Sequence, residues 1–125
     1  IGAIVLGAIA GFICLWAVAT LKPLLKYDDA LDVFGIHGVG GIVGALGTAF
    51  VANPAWGGYP LADYEMWGQF IKQLTAVGIA VVWSGVVAFV ALLIVRAVFG
   101  GLRVPESAES DGLDISSHGE HAYNT

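Results

Sequence analysis

VFGIHGVGGIVGALGTAFVA, residues 33–52, runs for twenty positions without a formal charge. A bilayer core about 30 Å thick takes roughly 20 apolar residues of helix, so the stretch can span one. Its one titratable side chain is His37. Gly35, Gly38, Gly41, Gly44 and Gly47 recur every three residues, and Asp29, Val33, His37 and Gly41 every four. A ridge of glycines lets neighbouring backbones approach closely. The pattern predicts a helix packed by others on several sides, not a rod facing lipid.

The flanking sequence repeats the theme. Ile1 to Leu21 has no charge, with Ala3, Gly7 and Gly11 at four-residue spacing. Pro23 and the cluster of charges in LKPLLKYDD, residues 21–29, are expected to end the span. NPAWGGYP, residues 53–60, has the composition of a loop. Gln73 to Val95 is again free of charge. A continuous helix from Asp63 to Phe99 would run roughly 55 Å at 1.5 Å per residue. The expectation is a long, tilted helix whose first turns lie in the interface. The chain is therefore read as an all-α membrane protein. Its predicted parts are a span at 1–22, a loop at 23–31, a span with the histidine at 32–52, a loop at 53–66, a long tilted span at 67–100 and a tail at 101–125.

Composition agrees. Hydrophobic residues make up 58% of the 125 residues and charged residues 12%, about half the usual charged share. That excludes an ordinary soluble domain. Five of the ten acids fall in the last 20 residues, so the net charge of −5 belongs mainly to the tail. No basic cluster points to nucleic acid. Cys14 is the only cysteine, which rules out an intrachain disulfide, and it reads as a small packing residue. The chain starts IGAIVLG, without methionine and without the basic flank of a signal peptide. It is expected to be the C-terminal part of a longer polytopic protein.

Basic residues set the expected orientation. Lys22 and Lys26 stand in the first loop, Arg96 and Arg103 after the third span, and none between Asn53 and Met66. By the positive-inside rule the first loop and the C-terminus are cytoplasmic, and the second loop is outside. Trp56, Tyr59, Tyr64 and Trp67 fit an outer aromatic belt, and Lys72 can snorkel to the surface beside them.

An ionisable residue inside a membrane is costly and marks a pathway or a partner by default. A neutral imidazole carries one donor and one acceptor, and burial disfavours its charged form. His37 can therefore line a narrow path or relay a proton, bond structurally to a neighbouring carbonyl, or ligate a haem or metal. Ligation lacks a second histidine in the other spans. Asp29 and Asp32 stand where carboxylates satisfy the free amides of a helix start. His118 and His121 are three apart without a third ligand, a poor metal site.

DDALDVFGIHGVGGIVGALGTAF, residues 28–50, resembles the signature of the ammonium transporter (Amt/Rh) family, especially its bacterial branch. AVVWSGVVAF, residues 80–89, is similar to that family's last membrane helix, and GLRVPESAESDGLDISSHGEHAY, residues 101–123, to its C-terminal region. The resemblance implies three helices of an eleven-helix fold, in a homotrimer with one pore per subunit in the inner membrane of the cell. It implies transport of ammonium or ammonia through a hydrophobic pore lined by a histidine pair, of which His37 is the second member. Val33 would line the pore one turn before it, and Asp29 and Asp32 would cap the cytoplasmic end. Gly112, Leu113, Asp114, His118, Gly119, Glu120 and Tyr123 match the tail motif, which implies regulation by a PII-type signalling protein. No enzyme activity, cofactor or metal is implied. The rival is an ammonium sensor that signals through the tail.

Overall fold

The computed structural model describes residues 1–58 and 63–121. Three helices are long and apolar enough to cross a membrane: α1, Gly2–Leu25; α2, Phe34–Val51; and α3, Met66–Phe99. No strand occurs among the described residues. A short helix, α4, Glu106–Asp111, follows. The chain divides into two units, residues 1–82 and 83–125.

In the first unit α1 and α2 run antiparallel, and small residues set their distance. A methyl group placed on Gly35 would lie 2.8 Å from Val18 Cγ2, and one on Gly40 would lie 2.9 Å from Cys14 Sγ. One on Gly47 would overlap Leu6 Cδ1. At the far end one on Gly2 would lie 3.1 Å from Val51 Cβ. Each pair of residue numbers sums to 53 or 54, so one register holds over the whole length. Gly41 and Gly44, like Gly7 and Gly11, face open space in this chain. Only part of each predicted ridge is thus used between these two helices.

Both helices contain a widened turn where they meet. Ala17–Leu21 and Phe34–Val39 are π-helical, with i→i+5 hydrogen bonding. Ala17 is fully buried and Gly35 is buried with it. The widened turn of α1 immediately precedes Pro23, whose ring would clash with the carbonyl four residues back in a regular helix. Pro23 therefore does not end α1 as the sequence suggests: the helix continues through Lys22 and Pro23 to Leu25 and stops at Lys26, in the left-handed conformation (φ 53°).

The other end of α2 is tied to the start of α3. Phe50 packs on Phe70 and Trp67 with ring centroids 5.5 and 6.2 Å apart, and Trp67 meets Phe70 edge-on at 6.0 Å. The Tyr64 hydroxyl donates to the Ala49 carbonyl near the end of α2. Glu65 accepts from the Gly68 amide at 3.3 Å, in the first turn of α3. α3 is a single unbroken helix of 34 residues with none of them buried.

In the second unit α3 ends at Gly100, whose left-handed backbone (φ 75°) suits glycine. The tail folds locally: Ser116 Oγ donates to the Gly112 carbonyl at 2.9 Å and the Glu120 amide to the Asp114 carbonyl at 2.9 Å.

Among the described residues the only fully buried apolar side chains are Ala17 and Ala49. Large hydrophobics along all three helices remain exposed. So much exposed apolar surface is incompatible with water and requires lipid or further protein around it.

The α1–α2 contact predicts an interaction between two side chains. Gly35→Ala gains up to about 1 kcal/mol of helix propensity, but displacing stiff, β-branched Val18 costs about 1–3 kcal/mol. In the full-length protein, unfolding midpoints in detergent should show Val18→Ala rescuing Gly35→Ala. Equal effects of Val18→Ala in both backgrounds would contradict the packing.

Candidate functional site

The segment from Lys22 to His37 gathers most of the chemistry of the first unit. Its residues are placed by one turn. The Asp32 amide donates to the Asp29 carbonyl at 3.3 Å, and Asp32 itself is left-handed (φ 56°). That geometry reverses the chain into α2. The Asp29 carboxylate then accepts from two amides, Val33 at 2.9 Å and Phe34 at 2.8 Å. Two of the unpaired donors at the start of α2 are satisfied by one side chain, with its negative charge at the positive end of the helix dipole.

Asp32 faces the other way. Its Oδ1 accepts from Lys22 Nζ at 2.5 Å, and the same ammonium donates to the Asp29 carbonyl at 2.5 Å. Lys22 is the last-turn cation of α1, so the pair ties the end of one helix to the start of the next. Tyr27 completes the corner, its ring edge-on to Phe34 with centroids 5.3 Å apart.

His37 lies inside the π-helical segment of α2. The positions turned to α1 are glycines, Gly35 and Gly40, together with the Ile36 carbonyl, which accepts from Cys14 Sγ at 3.6 Å. His37 is exposed, and Val33 is half-exposed. Val33 and His37 are four residues apart, and the widened turn between them alters the face they would share in a regular helix, a feature composition does not reveal. π-turns within α-helices occur frequently at functional sites.

The tail residues form a separate group. Gly112 and Gly119 both have positive φ, Gly119 in the left-handed conformation, and they bracket the π-turn Asp114–His118, with Leu113 half-exposed and Glu120 bonded back to Asp114. Tyr123 lies outside the described residues, as does Tyr59 of the aromatic group. Among the described residues no three His, Cys, Asp or Glu side chains come together to share a metal ion.

Residues 1–123 match the model of the Ammonium Transporter Family. The chain belongs to that family. It is 48% identical to an ammonium transporter of Aquifex aeolicus over 124 residues, covering 99% of this chain and 29% of that protein. It is 44% identical to a putative ammonium transporter of Methanothermobacter thermautotrophicus, covering 96% and 30%. An ammonium transporter of Bacillus subtilis is 41% identical over 123 residues, with 96% and 30% covered. The chain thus spans about three-tenths of the length of these relatives. It is a multi-pass membrane chain of this family.

Sequence reasoning used Lys22 only as an orientation signal. The signal that could have revealed more is a lone cation on the last turn of one span, ten residues before an acid that starts the next.

The double acceptance by Asp29 gives a graded expectation. Asp29→Ala leaves two amides unpaired and should lower the stability of the full-length protein by about 1–2 kcal/mol. Asp29→Asn keeps one acceptor and should lose less. Unfolding midpoints in detergent measure both, and a fully stable Asp29→Ala protein would contradict the assignment.

Proposed function

We propose that this chain forms part of an ammonium/ammonia transport path, with His37 as a polar group lining it. The carrying observation is that α2 meets α1 closely through Gly35, Gly40 and Gly47, while the one titratable ring of α2 is left exposed. Family membership supplies the substrate. Moving an intact ammonium ion into an apolar passage is expensive because nothing replaces its water. Giving up a proton leaves neutral ammonia, which crosses at far lower cost. A neutral imidazole can accept a proton at one nitrogen and release one from the other. A second imidazole on a helix outside this chain would complete the relay.

In this reading Val33 lines the path below His37, and Asp29 and Asp32 hold the cytoplasmic start of α2. The protein is a transporter without enzyme activity, a homotrimer of the inner membrane with its C-terminus in the cytoplasm. The turn from Gly112 to Glu120, with Tyr123, is the surface on which a PII-type protein regulates it.

Methylammonium uptake by the full-length protein tests the central part. His37→Ala should lower uptake about a hundredfold or more, the usual weight of a proton-transferring group. Uptake at the wild-type rate would sink the pore role, and binding without translocation in the wild type would favour a sensor. For the tail, replacing both Asp114 and Glu120 with alanine should weaken capture of the PII-type protein while leaving unregulated uptake intact. Undiminished capture would contradict that role.

A further inference from the structure

We propose that Lys22 is a positioning residue for His37, acting across the corner between α1 and α2. The proposal rests on the pore reading of His37. One ammonium, on α1, holds two points of the turn that starts α2: the Asp29 carbonyl and the Asp32 carboxylate, both at 2.5 Å. Each point leads directly into the helix. Asp29 fixes the Val33 and Phe34 amides through its side chain. Asp32 accepts the Ile36 amide at its own carbonyl, 2.9 Å away. Ile36 is the residue before His37, so the imidazole stands one backbone step from a group that Lys22 anchors.

The backbone explains why an anchor is needed. Asp32 and Lys26 are the two non-glycine residues in left-handed conformation among the described residues, and they bracket this corner. Such conformations persist where surrounding contacts over-determine them. The contacts at Asp32 are the Lys22 ion pair and the turn to Asp29. Without the ammonium, Asp32 keeps a partly covered carboxylate and a strained backbone with less to hold them. The turn then relaxes, and the widened segment Phe34–Val39 shifts with it. Gly35 and Gly38 in that segment bring no side chain to resist rotation. Lys22 itself lies on the opposite helix and reaches His37 only through the turn that starts α2.

A group that sets the position of a relay, and not the recruitment of substrate, affects the maximal rate more than the half-saturating concentration. In the full-length protein, with rates normalised to folded protein, Lys22→Met should lower maximal methylammonium uptake about tenfold through misplacement of the ring, with KM within about twofold of wild type. Lys22→Arg, which keeps a cation able to reach both oxygens, should restore most of the rate. Asp32→Asn removes the same ion pair from its other end and should reproduce the split. It carries the test should the Lys22→Met variant fail to fold. Wild-type maximal rates in folded Lys22→Met or Asp32→Asn protein would overturn the proposal, as would an equal loss in Lys22→Arg. His37→Ala in the same membranes separates the two ideas. If it is impaired while Lys22→Met is not, only the role of Lys22 falls; if it transports normally, the pore reading falls and this proposal with it.

Discussion

Where Gly35 meets Val18, and again where Gly40 meets Cys14, the space for a β-carbon does not exist. The antiparallel approach of α1 and α2 depends on those absences, and much else in the first unit depends on the approach. It buries Ala17 and Gly35 together. It brings the Cys14 thiol to the Ile36 carbonyl. It leaves His37 exposed, open to other neighbours. In lipid there is no water-driven collapse to hold two helices together, so close packing of small residues carries more of the association than it would in a soluble protein.

The charges at one end of this pair follow from the same closeness. Lys22 and the Asp29–Asp32 turn meet because the helices that carry them run side by side to their ends. Each is needed there. An ammonium at the end of an apolar helix requires acceptors, a helix start requires a carboxylate, and a tight reversal through non-glycine residues requires external support. One cation and two acids satisfy all three demands. At the other end of α2 an uncharged corner ties it to α3, through the Phe50–Trp67–Phe70 cluster and the Tyr64 hydroxyl.

Hydropathy alone pointed to three helices long and apolar enough to cross a membrane, because twenty uncharged residues in a row leave few alternatives. His37 was equally visible, being a lone titratable group in such a run. The pairing of glycines was not. Five glycines at three-residue spacing predict close packing, but only Gly35 and Gly47 of that ridge meet α1, while Gly41 and Gly44 stay open in this chain. Gly40, outside the ridge, makes a contact of the same kind. A three-residue period drifts by about 60° per step around a helix of 3.6 residues per turn, so Gly40 and Gly47, seven apart in the regular helix Gly40–Val51, share the face turned to α1 while Gly41 and Gly44 turn off it. The Lys22–Asp32 pair was hidden for a different cause. Ten residues and a left-handed turn separate them, and neither residue type announces that conformation.

The claim that matters most is that His37 faces a passage and is not merely packed. An experimental structure of the full-length protein, at a resolution that fixes side-chain hydrogen bonds, tests it most directly. The expected result is a His37 ring nitrogen within about 3 Å of a second imidazole nitrogen, with an apolar channel running past both rings. A His37 ring bonded instead to a backbone carbonyl of a neighbouring helix, with close-packed side chains and no channel beside it, would contradict the account.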